Sequence, residues 1–331
     1  MLYSGKDLRK LIIPLIIEQI LAIAVGMADT IMVSAAGEAA VSGVSLVDTV
    51  NILLINVFSA LATGGAVVSG HFLGKKKRED ACKSAWQILL FATLLALVIS
   101  VIFIAAHDPL LRLMFGKIED DVMQASKTYL IITTYSFVAL AVYNSCAALF
   151  RAMNESKVTM WVSLLMNAIN VVGNAICIYG LHMGVAGVAI PTTISRYVAA
   201  IVIFLLMFQP KKEINLCGQI TWKFNGSLIK KILYIAIPNG MENSMFQLGK
   251  ILVMSAVATM GTSAIAANAV TGTIANWNNL PGFAINLAIV SVVSVCVGAG
   301  RYDQARYYTR RLCRDAMIGI GCLSLLLYLS A

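Results

Sequence analysis

Apolar residues fill long windows of this chain, and polar residues gather in the short stretches between them. Runs of about 20 apolar residues, the length that crosses a hydrocarbon core, fall near 11–34, 47–73, 84–106, 128–150, 158–180, 184–208, 230–259, 265–299 and 312–331. Each is too long and too evenly apolar for a membrane strand, which alternates over about 10 residues. The pattern therefore predicts an all-α, polytopic membrane protein with nine spanning helices.

The pattern also recurs. Residues 13–83 return without a gap 224 positions later: Ile13-Pro14 as Ile237-Pro238, Glu18 as Glu242, Gly37 as Gly261, Ala40 as Ala264, Gly74 as Gly298 and Ala81 as Ala305. Identity between the copies is low, so the shared offset carries the argument. Two similar apolar halves mark a secondary transporter whose site lies between them. The organisation expected is an N-lobe over 1–210 with helices one to six, a linker over 211–229 and a partial C-lobe over 230–331 with helices seven to nine. Residue 331 corresponds to residue 107, the end of helix three. The second half is thus expected to lack three of six helices, roughly 120 residues. Both copies keep the same sidedness, which predicts parallel repeats about an axis along the membrane normal.

Composition agrees. Hydrophobic residues make up 59% of the chain and charged residues 12%, with mean hydropathy +0.83, against roughly 45–50% and 25% in a soluble domain. The net charge of +9 follows from topology. Of the 25 Lys and Arg, 20 fall in the leading segment and in loops on one side, including Lys75–Lys83, Arg151, Lys211–Lys231 and Arg301–Arg314. Arg112, Lys117 and Lys127 fall on the other, set against Asp108, Glu119, Asp120 and Asp121. The positive-inside rule puts the N-terminus in the cytoplasm of a cell inner (plasma) membrane protein. Scattered loop charges without a soluble domain argue against nucleic acid as a partner. The opening basic segment and apolar run are helix one rather than a cleaved signal, since the run is long and carries Glu18 and Asp29. The seven cysteines show no metal-ligand spacing, so neither zinc nor a disulfide is expected. Phosphate-binding and nucleophile–base motifs are missing, which argues against an enzyme or an ATP-driven pump. His71, His107 and His182 fall at helix ends.

Ionisable side chains inside a span cost at least about 2.5–3.5 kcal/mol and are site candidates by default. Here they are Glu18, Asp29, Asp48, Arg196, Glu242 and Lys250. Glu18 and Asp29 share one face of helix one, since 11 residues come close to three full turns, with Ala22 and Gly26 between them. Asp29 reads as an ion-coupling carboxylate or as the acceptor of an interhelical hydrogen bond. Glu242 repeats Glu18, four residues past a proline in both helices, and reads either as a cation-attracting group or as a packing feature of both halves. Lys250 is about 80° off the face of Glu242, which argues against an ion pair between them. Asn144, Asn167, Asn170 and Asn174 supply amides, with Asn170 and Asn174 one turn apart beneath Met166. Such amides line polar cavities or make interhelical bonds. Thr192 and Thr193 after Pro191 join the same candidate lining.

Taken together, Ile13-Pro14, Ala28-Asp29-Thr30-Ile31-Met32-Val33, Gly37-Glu38-Ala39-Ala40, Gly74-Lys75-Lys76-Lys77, Phe150-Arg151-Ala152-Met153-Asn154 and Asn170 followed by Gly184-Val185-Ala186-Gly187 carry a family resemblance. The chain resembles the multidrug and toxic compound extrusion (MATE) family along essentially its whole length, with the family's 6+6 plan cut short at nine helices. The resemblance implies two helical bundles that export organic cations or amphiphiles by H⁺ or Na⁺ antiport, as a monomer and without a cofactor. It implies an N-lobe coupling site at Asp29, Asn144, Asn170 and Thr192, with Glu242 at a C-lobe site; with the residue pattern, ion coupling is expected at Asp29, Asn170, Asn174 and Glu242, and substrate contact at Asn144, Thr192, Glu18 and Met166. Asn174 departs from the aspartate that many bacterial members carry there. The alternatives are a lipid-linked-sugar or polysaccharide flippase of the same superfamily, whose cavity would be more basic, and an inactive transporter fragment.

Overall fold

The computed structural model describes residues 2–115, 119–218, 220–258 and 262–330, so Lys117 and Gly261 lie outside the described residues. All regular structure in them is helical: α1 (Gly5–Ser34), α2 (Glu38–Gly74), α3 (Arg78–Ala105), α4 (His107–Phe115), α5 (Asp120–Thr134), α6 (Phe137–Ala152), α7 (Ser156–Ala175), α8 (Ala186–Leu206), α9 (Gly226–Ala258), α10 (Thr262–Gly298) and α11 (Tyr302–Ser330). Seven are long and apolar enough to cross a membrane, and α5 with α6, bent by 49°, supply an eighth as a broken span. The expected seventh span, α9, is long enough but less apolar, because Asn239, Glu242, Asn243, Gln247 and Lys250 fall within it. Large apolar side chains such as Leu97, Val101, Trp161, Leu205, Leu252 and Leu326 are exposed, as lipid-facing positions of a bundle must be.

The helices run further than the apolar windows because their first turns are polar. Helix α2 begins at Glu38, an acid suited to the first turn, preceded by Gly37 at φ 103°, a conformation other residues rarely adopt. The expected helix over 128–150 is broken at Tyr135 and Ser136. There the hydroxyls of Thr134 and Ser136 donate to the carbonyls of Leu130 (2.6 Å) and Thr133 (2.6 Å), which bends helices. Neighbouring helices serve the carbonyls at the break. Thr193 donates to Ile132, Ser100 to Thr134 and Tyr197 to Tyr135, at 3.0, 3.2 and 2.8 Å.

Helix α2 stands at the centre, packed on α3, α5 and α6 to one side and on α9 and α10 to the other. The main core lies among α2, α3, α6, α8 and α9, around Leu61, Ile88, Phe150, Ile203 and Ile232. The repeat is visible in this packing. Gly70 lies against Ser294, its own counterpart at the 224 offset, while Gly74 lies on the Val295 carbonyl and Gly298 on that of His71. His71 and Val295 are also counterparts. Reciprocal contact between paired positions is what a two-fold axis produces. Leu8, Leu11 and Leu15 of α1 pack on Ala284 and Ala288 of α10. Equivalently, a Cβ on Gly64 of α2 would lie 2.6 Å from the Ile232 carbonyl of α9.

The described residues between α8 and α9 are strapped to α3. Arg78 donates to the carbonyls of Pro210, Lys212 and Glu213 at 2.9, 2.7 and 3.0 Å, Trp86 to that of Thr221 at 2.7 Å, and Gln87 to that of Lys223 at 2.9 Å.

Candidate functional site

Close packing of α7 on α8 creates the first polar centre. Gly173 faces Pro191, where a Cβ would stand 2.6 Å from the proline ring, and its flanking asparagines are carried into the interface. Asn170 Nδ2 donates to Thr192 Oγ1 at 2.9 Å, and Thr192 in turn donates to the Val188 carbonyl at 2.8 Å. Asn174 Nδ2 reaches Asn170 Oδ1 at 3.4 Å and crosses to α1, donating to Asp29 Oδ1 at 2.8 Å. The four residues predicted on this side thus form one chain of hydrogen bonds across three helices. Asn170 and Thr192 are buried, and Asn174 is 0% exposed with its Oδ1 lacking a partner. Immediately beyond, residues Ile176–Gly180 widen into a π-helical turn, a feature frequent at functional sites.

Two further ionisable groups meet this centre. Asp48 of α2 accepts from Tyr129 OH of α5 at 3.2 Å and from Asn51 Nδ2 at 3.3 Å. Arg196, one turn beyond Thr192, donates to Ser136 Oγ at 2.8 Å at the α5–α6 break and lies within electrostatic reach of Asp29, Asp48 and Tyr129. The sequence singles out Asp48 and Arg196 only as ionisable groups in spans, because their partners are far away along the chain.

Glu18 lies nearer the basic end. Its carboxylate pairs with Arg151 of α6 at 3.7 Å, both side chains about nine-tenths buried, and accepts from Thr159 Oγ1 of α7 at 3.0 Å. Pro14 removes the donor that would have served the carbonyl of Lys10. Ser156 Oγ covers that end instead, donating to Leu11 at 2.8 Å and touching the Lys10 carbonyl at 3.4 Å. Arg151 closes helix α6 rather than standing in a loop, which charge counting along the sequence had no means to distinguish.

Arg151 also lines a polar cavity of about 380 Å³ between α2, α6, α9 and α10, whose wall includes Asn56, Asn239, Asn243, Asn286 and Glu242. Glu242 is exposed there. Lys250 stands over the Phe246 ring at 5.0 Å, and among the described residues neither it nor Glu242 joins a salt bridge. The amides at 56, 239, 243 and 286 escape a reading that weighs charges first. Their signal is a polar stripe, Asn56, Ser59 and Thr63 on α2 and Asn239, Glu242 and Asn243 on α9, at helical spacing. The structure does not bring the remaining two predicted residues to either centre. Asn144 is half-buried with an unpartnered Nδ2, and Met166 packs against the main core.

The family model MatE matches residues 14–176 and 238–330. The chain belongs to the MatE family. It is 28% identical over 297 residues to a Bacillus subtilis protein named uncharacterized transporter YisQ, covering 88% of this chain and 64% of that one. It is 25% identical over 302 residues to the probable multidrug resistance protein NorM of Thermotoga maritima, covering 90% and 64%. This chain therefore spans somewhat under two thirds of the length of those relatives. Its fold matches the outward-facing conformation of a multidrug resistance MATE family transporter of the MOP superfamily, with a TM-score of 0.87 at 21% identity, covering 95% of this chain and 69% of the other. A MOP superfamily transporter from Pyrococcus furiosus matches with a TM-score of 0.85 at 20% identity, covering 95% and 69%. The protein is a multi-pass membrane protein of a transporter family.

Proposed function

We propose that this protein is part or all of a secondary active exporter of organic cations or amphiphilic compounds, driven by antiport of H⁺ or Na⁺, with its basic end in the cytoplasm. One observation carries the reading: the Asp29 carboxylate, inside a spanning bundle, is bound by a fully buried asparagine whose own oxygen has no partner. A carboxylate and an orphaned carbonyl oxygen, with Asn170 and Thr192 alongside, form an all-oxygen set. Such a set suits a proton or a hard monovalent cation. The polar cavity with exposed Glu242 provides a place where an organic cation meets a negative charge, and the family membership supports transport as the activity. The cavity wall holds one arginine and one glutamate among amides, which favours this reading over a phosphate-binding flippase. The test is export of ethidium, as the probe cation, from proteoliposomes under an imposed proton or sodium gradient. Export that follows one gradient and stops when an ionophore collapses it is the result expected. Ethidium movement indifferent to both gradients would contradict the proposal.

A further inference from the structure

Asp29 is not the only carboxylate of its centre, and each carboxylate is held in the same way. Asp29 Oδ1 accepts from Asn174 Nδ2 at 2.8 Å, and Asp48 Oδ1 accepts from Asn51 Nδ2 at 3.3 Å. Both asparagines are buried, at 0% and 3% exposure, and the remaining oxygen of each amide lacks a hydrogen-bond partner. Two orphaned acceptors beside two carboxylates form a lining that calls for cations or O–H donors. One cation is already built in. Arg196 is tethered to Ser136 at the α5–α6 break, one turn beyond Thr192, and Val33, Val47, Tyr129 and Val188 share one core cluster that draws α1, α2, α5 and α8 together beside it, without a direct ion pair from Arg196 to either carboxylate among the described residues.

We infer that Asp29, Asp48 and Arg196 form a single coupling centre, with Asp48 the second carboxylate, and that the fixed guanidinium limits the centre to one monovalent cation. The proposal rests on the reading of Asp29 as the coupling residue and adds to it a residue and a stoichiometry. Two ionised carboxylates and one guanidinium leave a net charge of minus one. Unbalanced charge in a low-dielectric interior is costly, and one proton or one sodium ion removes it. Tyr129 OH, donating to Asp48 at 3.2 Å, helps hold the second carboxylate in place. The charged and titratable groups facing the centre are then Asp29 from α1, Asp48 from α2, Tyr129 from α5 and Arg196 from α8.

The charge count can be read on the purified protein without a substrate. Bound cations are counted as radiolabelled Na⁺ plus protons taken up in a difference titration against an Asp29→Asn/Asp48→Asn reference, which has no carboxylate in the centre. The wild type binds one. Asp48→Asn, which keeps a side-chain acceptor for Tyr129, binds none. Arg196→Gln binds two. The double variant Asp48→Asn/Arg196→Gln returns to one and also shows that neither change has simply unfolded the bundle. An Asp48→Asn protein that keeps its cation would make Asp48 a structural acceptor and overturn the inference, as would an Arg196→Gln protein that binds only one. Asp29→Asn keeping its cation would overturn both the inference and the coupling reading beneath it.

Discussion

Glu18 and Arg151 show how much depends on a partner that the sequence places far away. Glu18 stands out as a carboxylate in an apolar run, and its face on α1 follows from spacing alone. Its partner arrives from 133 positions later, at the end of α6, and makes the pair about nine-tenths buried at 3.7 Å. Removing one member of a buried pair leaves an uncompensated charge, which costs about 3–5 kcal/mol. Arg151→Gln is therefore expected to lower the stability of the purified protein by that order, and Glu18→Gln by less, since the guanidinium it strands lines the polar cavity. The double variant is expected to recover much of the loss, because no charge is then stranded. Chemical unfolding of the four proteins measures this coupling, and strictly additive losses would show that the pair is not energetically linked. Asp29 was more legible. A lone carboxylate in the outer part of α1 and two amides one turn apart on α7 were each visible, and the structure joins them at 2.8 Å. Asp48 and Arg196 were visible only as charges, since nothing along the chain announces that Tyr129, Ser136 and Asn51 hold them.

Helices were legible because apolar runs of spanning length have few other solutions in a bilayer. The break between α5 and α6 was not, since Thr133, Thr134 and Ser136 read as ordinary polar insertions until their hydroxyls are seen to bond the preceding turns. The crossing of α2 on α10 depends on glycines at which the backbones touch. A methyl group on Gly74 would run into the backbone at Val295 and Ala299, and one on Gly298 into that of His71. Backbone cannot swing aside as a side chain does, so Gly74→Ala and Gly298→Ala are each expected to cost about 1–3 kcal/mol. Gly321 of α11 has nothing within 4 Å of its Cβ position, so Gly321→Ala is expected to be neutral or slightly stabilising. Melting temperatures of the three variants test this. Equal effects at all three positions would mean that the crossing is looser than the backbone contact implies.

At the scale of the whole molecule, the repeat legible at an offset of 224 becomes reciprocal contact between counterparts, Gly70 with Ser294 and the pairs around Gly74 and Gly298. The two polar regions lie apart. The hydrogen-bonded centre lies among α1, α7 and α8 in the first half, while the cavity with Glu242 lies where the first half meets α9 and α10. An ion bound in one region and a substrate in the other are linked if both bias the same movement of the helices between them. The account turns on the Asp29 carboxylate. Asp29→Asn keeps the size of the side chain and most of its hydrogen bonding but has no proton to gain or lose and no charge to offer a cation. Ethidium flux through proteoliposomes carrying wild type or Asp29→Asn separates the roles directly. The account predicts that the variant still exchanges ethidium down its own gradient but no longer exports it against one when a proton or sodium gradient is imposed. Gradient-driven export at the wild-type rate would contradict it.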